Sequence, residues 1–413
     1  MATTNSQPGT RVETLEAIRG IAALVVVLHH LAHTFWPVAL HTTAPWRSVF
    51  DGSFAVTLFF VLSGIVLSIA YFQRPAAATL GTAAVRRYFR LTLPILSTVL
   101  LGYVLMKVGA FANVAAADAM GRAPDQWLRH FYTFRPNLWN ALKEGGYGVY
   151  RTYDSSHSYN AVLWTMSVEL YGSFFVLALL ALVGSQRRRW ILYLVLAAFL
   201  HAQWSYTLNF LFGLALCDYY VRTRTAPIPP KFGALTGTVL LLAGVFIGSG
   251  VPGWFGDWIG IEFTSRRLDC QTFGAVLIVL VALFCPFWER VLKLRVLVWL
   301  GGISFALYLL HHLVICSVGC GVFVRLRDAS GWSFEAAALG STAVALVVTL
   351  AAAWGMTRTV DRWSIALGRR ISRLFIGTQP REPDRPRHIA SMNFAGRITQ
   401  AKNGKKRDIL ECR

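Results

Sequence analysis

Apolar residues run in blocks of about twenty through most of the chain, enough for a helix to cross the ~30 Å hydrocarbon core of a bilayer at about 1.5 Å per residue. The pattern predicts ten spans: 17–36, 53–72, 91–112, 161–183, 190–203, 205–221, 233–250, 272–288, 296–324 and 335–356. The fifth is short. Residues 1–14 are polar and read as a flexible N-terminus. Residues 113–160 read as one long hydrophilic loop rich in Trp and Tyr, and 376–413 as a basic, disordered tail. The expected fold class is all-α, a polytopic membrane domain over 15–375 with no second folded domain.

Composition agrees. Of 413 residues, 55% are hydrophobic and only 15% charged, whereas soluble domains are about a quarter charged. The net charge of +20 argues for nucleic acid only if it is clustered on a folded surface, and here it falls between apolar blocks or in the tail. With the N-terminus inside, the short inside loops hold Arg74, Arg86, Arg87, Arg90, Arg187–Arg189, Arg222, Arg224, Lys231, Arg290, Lys293 and Arg295. The short outside loops hold Arg47, Arg266, Arg267, Arg325 and Arg327. That bias places both termini in the cytoplasm, and an even number of spans agrees. The first block is too long for a signal-peptide core and no clear small-x-small cleavage site follows it. The protein is thus expected in a membrane, the cell membrane if the source is bacterial.

Six cysteines are scattered through or beside apolar blocks and give neither a disulfide framework nor a CxxC pattern. His312, Cys316 and Cys320 recur every four residues. Small residues packing a membrane helix explain them better than a metal site. Gly64 and Ser68, also four apart, suit close helix packing.

The stretch Leu15 to Trp36 carries the chemistry. Arg19 stands near one end and His29, His30 and His33 towards the other. Eleven steps bring His30 back to within roughly 20° of the face of Arg19, about 16 Å along the axis. With Arg19 at the membrane edge, His30 sits near mid-depth, where an ionisable side chain marks function by default. Glu169, in the fourth span, and His311 and His312, in the ninth, come to a similar depth. Taken singly, each histidine is open to a hydrogen-bonded structural role or to catalysis; His29, round the helix, favours structure.

Four stretches, LEAIRGIAALVVVLHH (15–30), AVTLFFVLSGIVLS (55–68), RRYFRLTLP (86–94) and LWTMSVELYG (163–172), are followed by a fifth, WLGGISFALYLLHHLVI (299–315). In that order they resemble acyltransferase family 3, integral membrane proteins that O-acylate sugars, polysaccharides and some natural products. The family's arginine–ten residues–histidine motif falls on Arg19 and His30. The resemblance implies acyl transfer from a cytoplasmic donor, usually acyl-coenzyme A, to a hydroxyl presented from the other side. It also implies a stand-alone transferase, because the tail is too short for the esterase-like domain many members carry. One departure stands out: Thr57 occupies the place of a common family aspartate. Asp51 or Glu169 is left to supply that charge.

Ester formation from a thioester needs a base for the acceptor hydroxyl, and histidine suits that task. The expected catalytic set is His30, Arg19, Glu169 and His312, with Glu169 beside the His30 ring to fix its tautomer. Arginine pairs with phosphate through a planar fork, so Arg19, Arg86, Arg87 and Arg90 are expected to bind the donor's phosphates. No cofactor is expected to stay bound; acyl-coenzyme A, acetyl-coenzyme A in particular, is a substrate. The expected partners are that donor, a hydroxylated sugar, glycan or natural product, and membrane lipid. A transporter or flippase running protons through the same histidines and Glu169 is the alternative. Against it, no paired interrupted helices or inverted repeat are visible.

Overall fold

The structure, a computed structural model, describes residues 9–36, 50–73, 75, 77–121, 127–224, 231–250 and 267–376. The expected tail, most of the expected flexible N-terminus, and Arg47, Arg74 and Arg266 lie outside the described residues. All regular structure among the described residues is helical. The main helices are α1 (Gly9–Phe35), α2 (Gly52–Gln73), α3 (Ala77–Lys107), α4 (Trp164–Val183), α5 (Arg189–Ala202) and α6 (Thr207–Arg224). There follow α7 (Ala234–Gly248), α8 (Arg267–Phe284), α9 (Arg295–Val314), α10 (Phe334–Met356) and α11 (Arg362–Ile376).

Seven helical stretches among the described residues are long and apolar enough to cross a membrane, and the protein is an integral multi-pass membrane protein. The expected ten spans each meet a helix, but three are of another kind. α5 and α7 have 14 and 15 residues, roughly 21–23 Å of rise against a ~30 Å core. α6 carries Asp218, which Arg189 and Arg222 hold in a three-membered ion cluster. Arg189, expected only to mark sidedness, is thus a structural ion-pair partner.

One boundary shifts: α3 begins at Ala77, so Arg86, Arg87 and Arg90 stand on a helix and not in the loop before one. Past Met356 one wide turn, Thr357–Asp361, leads into α11, which closes the expected 15–375 domain. The expected loop 113–160 is folded largely as short helical turns, and Leu128, Phe131 and Tyr132 from it are buried in the interior.

Glycine sets the closest helix pairs. A Cβ on Gly20 of α1 would strike the backbone of Leu300 and Gly301 on α9, and one on Gly301 would strike the carbonyl of Glu16. α2 and α6 meet in the same way at Gly64 and Gly213, while Ser68 Oγ donates to the Gly64 carbonyl at 2.7 Å. Small residues let membrane helices touch backbone to backbone, where dispersion and close packing replace the hydrophobic drive. The α1–α9 contact brings Arg19 and the histidines of α1 alongside α9.

Candidate functional site

Two cavities lie between α1, α2, α4 and α9. One, of about 150 Å3, is lined by Arg19, Arg87, Arg90, Ser63 and Glu169, with Glu16 and Asp361 also reaching it. The other, of about 500 Å3, is lined by His29, His30, His312, Ser53, Trp127 and Phe131. Each of the four helices passes from one cavity to the other. Along α1 the lining runs from Arg19 to His30, and along α9 from Gly301 to His312. Along α2 and α4 it runs the opposite way, from Ser53 to Ser63 and from Trp164 to Glu169. Val56 and Tyr308 face both cavities.

The histidines gather as the sequence leads one to expect. Ring centroids of His30 and His311 are 4.8 Å apart, and those of His30 and His312 6.0 Å. His30 Nδ1 donates to the Val26 carbonyl at 2.9 Å, and His311 Nδ1 to the Tyr308 carbonyl at 2.6 Å. A carbonyl only accepts, so in both rings the proton sits on Nδ1 and the Nε2 lone pair is left for other work. His311 Nε2 is buried and has no partner among the described residues. His312 Nδ1 shares a hydrogen bond with the Tyr132 hydroxyl at 2.8 Å, and burial pushes that phenol well above its ordinary range. Trp127 covers the group, its ring 5.8 Å from that of His30, 4.9 Å from His33 and 5.4 Å from His312. His29 turns to the backbone carbonyl of Phe50, the structural role its position favours.

Glu169 is elsewhere. Its carboxylate pairs with Arg87 and accepts from Ser63 Oγ at 2.6 Å, and Arg87 Nε donates to Ser173 Oγ at 2.8 Å. The expected place beside His30 is not where it lies: α4 enters the histidine cavity at Trp164, and Glu169 stands five residues, about 7.5 Å, further along. The physical reason is that a buried carboxylate gains more from a guanidinium fork than from a neutral imidazole. Neither candidate for the missing aspartate's charge reaches His30. Asp51 caps α2 through the Phe54 N–H and pairs with Arg267. Thr57 itself bonds the Ser53 carbonyl and Gln271 Oε1, both at 3.2 Å.

Of the four arginines expected to act together, Arg19, Arg87 and Arg90 line one cavity and Arg86 does not. One residue is about 100° on a helix, which turns Arg86 to α11, where its Nε donates to Ser372 Oγ at 3.1 Å. Arg87 is neutralised by Glu169. Arg19 and Arg90 form no ion pair among the described residues, although Glu16 and Asp361 line the same space. Among the described residues no group of three His, Cys, Asp or Glu side chains is set to hold a metal ion; Cys316 Sγ packs 3.8 Å from His312 Nδ1.

Sequence reasoning missed Tyr132, Tyr308 and Asp361. Tyr308 had a signal, since a residue three before His311 offers its carbonyl to that ring. Nothing in the sequence ties Tyr132 to a residue 180 positions away.

A family model described as an acyltransferase domain matches residues 12–358. The chain belongs to acyltransferase family 3. Similar curated proteins include an acyltransferase of Phoma sp., 24% identical over 341 residues, covering 69% of this chain and 72% of that one. An acyltransferase of Cochliobolus lunatus is 24% identical over 349 residues, 71% of this chain and 74% of its own. An O-acetyltransferase of Phomopsis amygdali is 25% identical over 404 residues, 83% of this chain and 79% of its own. No solved structure matches. The two cavities are thus features of a membrane acyltransferase of family 3.

Proposed function

We propose that this acyltransferase moves an acyl group, acetyl in particular, from acyl-coenzyme A to a hydroxyl of a sugar, glycan or small natural product, with His30 as general base. The observation that carries the reading is the Nδ1–H of His30 bound to a carbonyl, which leaves Nε2 as a proton acceptor in a cavity large enough for a small hydroxylated molecule. The donor occupies the arginine cavity. At about 150 Å3 that space suits a thin acyl-pantetheine arm, with the nucleotide outside it and its phosphates on Arg19 and Arg90. By the charge bias of the loops, this mouth faces the cytoplasm.

In the reaction, the acceptor oxygen attacks the thioester carbonyl while His30 Nε2 takes its proton. The carbon–sulfur bond breaks, the thiolate leaves, and the imidazolium returns the proton to sulfur. His312, braced by Tyr132, lines the same cavity and orients the acceptor. Glu169 holds Arg87 in place for the donor.

The test is incubation of the purified protein with labelled acetyl-coenzyme A and a panel of hydroxylated acceptors. Label should appear in an ester product, and His30→Ala should cut kcat by about 10²–10⁴. Full transfer by His30→Ala overturns the assigned base.

A further inference from the structure

Helix α11 has three faces. At about 100° per residue, Ser364, Gly368 and Ser372 form one stripe, buried against the rest of the protein. Trp363, Leu367 and Leu374 form a second, and Trp363 and Leu374 are 78% and 82% exposed. Arg362, Arg369 and Arg373 form a third, beside the apolar one. A fully amphipathic helix with this order is built to lie in the headgroup layer. Its place in the chain agrees: α10, with 23 residues, already rises ~35 Å and uses up the hydrocarbon core.

Arg86, on α3, packs on the first stripe and brings a third guanidinium towards Arg369 and Arg373. Its Nε bonds Ser372 Oγ at 3.1 Å, and its Cα lies 3.5 Å from where a Cβ on Gly368 would stand. Arg369, three residues before Ser372, and Arg373, the residue after it, are near enough for their charges to act on Arg86 as like neighbours. None of the three arginines pairs with a carboxylate among the described residues. Helix packing holds three positive charges together at no gain to themselves, and a bound anion would offset that cost.

We propose that Arg86, Arg369 and Arg373 form a binding site for the phosphate of an anionic phospholipid, whose chains lie against Trp363, Leu367 and Leu374. This site is separate from the donor cavity and does not depend on the acyl-transfer reading. A lipid is favoured over free phosphate because the apolar stripe adjoins the arginines, and only a lipid gains from both. Each arginine near an anionic headgroup contributes roughly fivefold in affinity.

The experiment is native mass spectrometry of the full chain released from detergent, with dioleoyl phosphatidylglycerol or dioleoyl phosphatidylcholine added. Wild type should retain phosphatidylglycerol in preference. Arg369→Gln with Arg373→Gln should weaken that binding roughly twenty- to thirtyfold and leave phosphatidylcholine unchanged. Arg369→Lys with Arg373→Lys keeps the charges and should keep most of the binding, which separates charge from any effect on folding. Arg187→Gln with Arg188→Gln, on another loop, should bind as wild type does. Equal retention of the two lipids, equal binding by the double glutamine variant, or displacement of the lipid by millimolar inorganic phosphate would each overturn the proposal.

Discussion

Val56 and Tyr308, from α2 and α9, are shared walls of the arginine and histidine cavities. The Tyr308 phenol is tied at 2.9 Å to the Val162 carbonyl and at 2.8 Å to Thr165 Oγ1. Its own carbonyl holds His311. The residues shared by the two cavities and the histidine group are therefore parts of one braced unit.

Thinning that wall should uncouple the two half-sites. Val56→Ala removes two methyl groups at a cost of about 1–3 kcal/mol and lets water approach the donor. Release of free coenzyme A without acceptor should rise, while ester formation falls. Unchanged release in a folded variant would mean that the wall does not exclude water.

Glu169 and His30 can be told apart by kinetics. Because Glu169 holds Arg87 and not the base, Glu169→Gln should raise the donor KM about tenfold, with the pH profile of kcat left in place. A shifted profile would instead put Glu169 in contact with the proton transfer.

The α1–α9 contact tolerates no side chain at Gly20. Gly20→Ala should lower stability by roughly 1–3 kcal/mol through overpacking, and a larger residue should prevent assembly. A thermal melt of the purified variant checks the first, membrane yield the second.

Glu144, in the loop before α4, gives a pH signature outside the spans. Burial raises its carboxyl to about 7, against opposing hydrogen bonds from Ser158 and Tyr159. A raised folded value means that its stabilising contribution is full below the unfolded value, near 4.5, and is lost as pH rises through about 7. The loss is at most ~3 kcal/mol. Between pH 5 and 8 the melting temperature should fall more for wild type than for Glu144→Gln; equal slopes would show that the carboxyl does not titrate there.

Much of this protein is legible from the chain alone. Apolar blocks fix the helices because backbone groups in hydrocarbon must bond within their own segment. The eleven-residue step from Arg19 to His30 follows from helical period, and the closeness of His30, His311 and His312 was expected from depth. Depth is one coordinate, however, and rotation about each helix is another. It was tertiary packing that turned Glu169 to Arg87, Arg86 to Ser372, and Tyr132 into the histidine cavity. Those pairings depend on which buried charge or donor finds a better partner across helices, and no spacing within one helix records that choice. Sequence thus set which groups enter the membrane and at what level. Only the fold decided which of them face one another, because a contact between helices depends on the facing surfaces of both and not on the period of any single span.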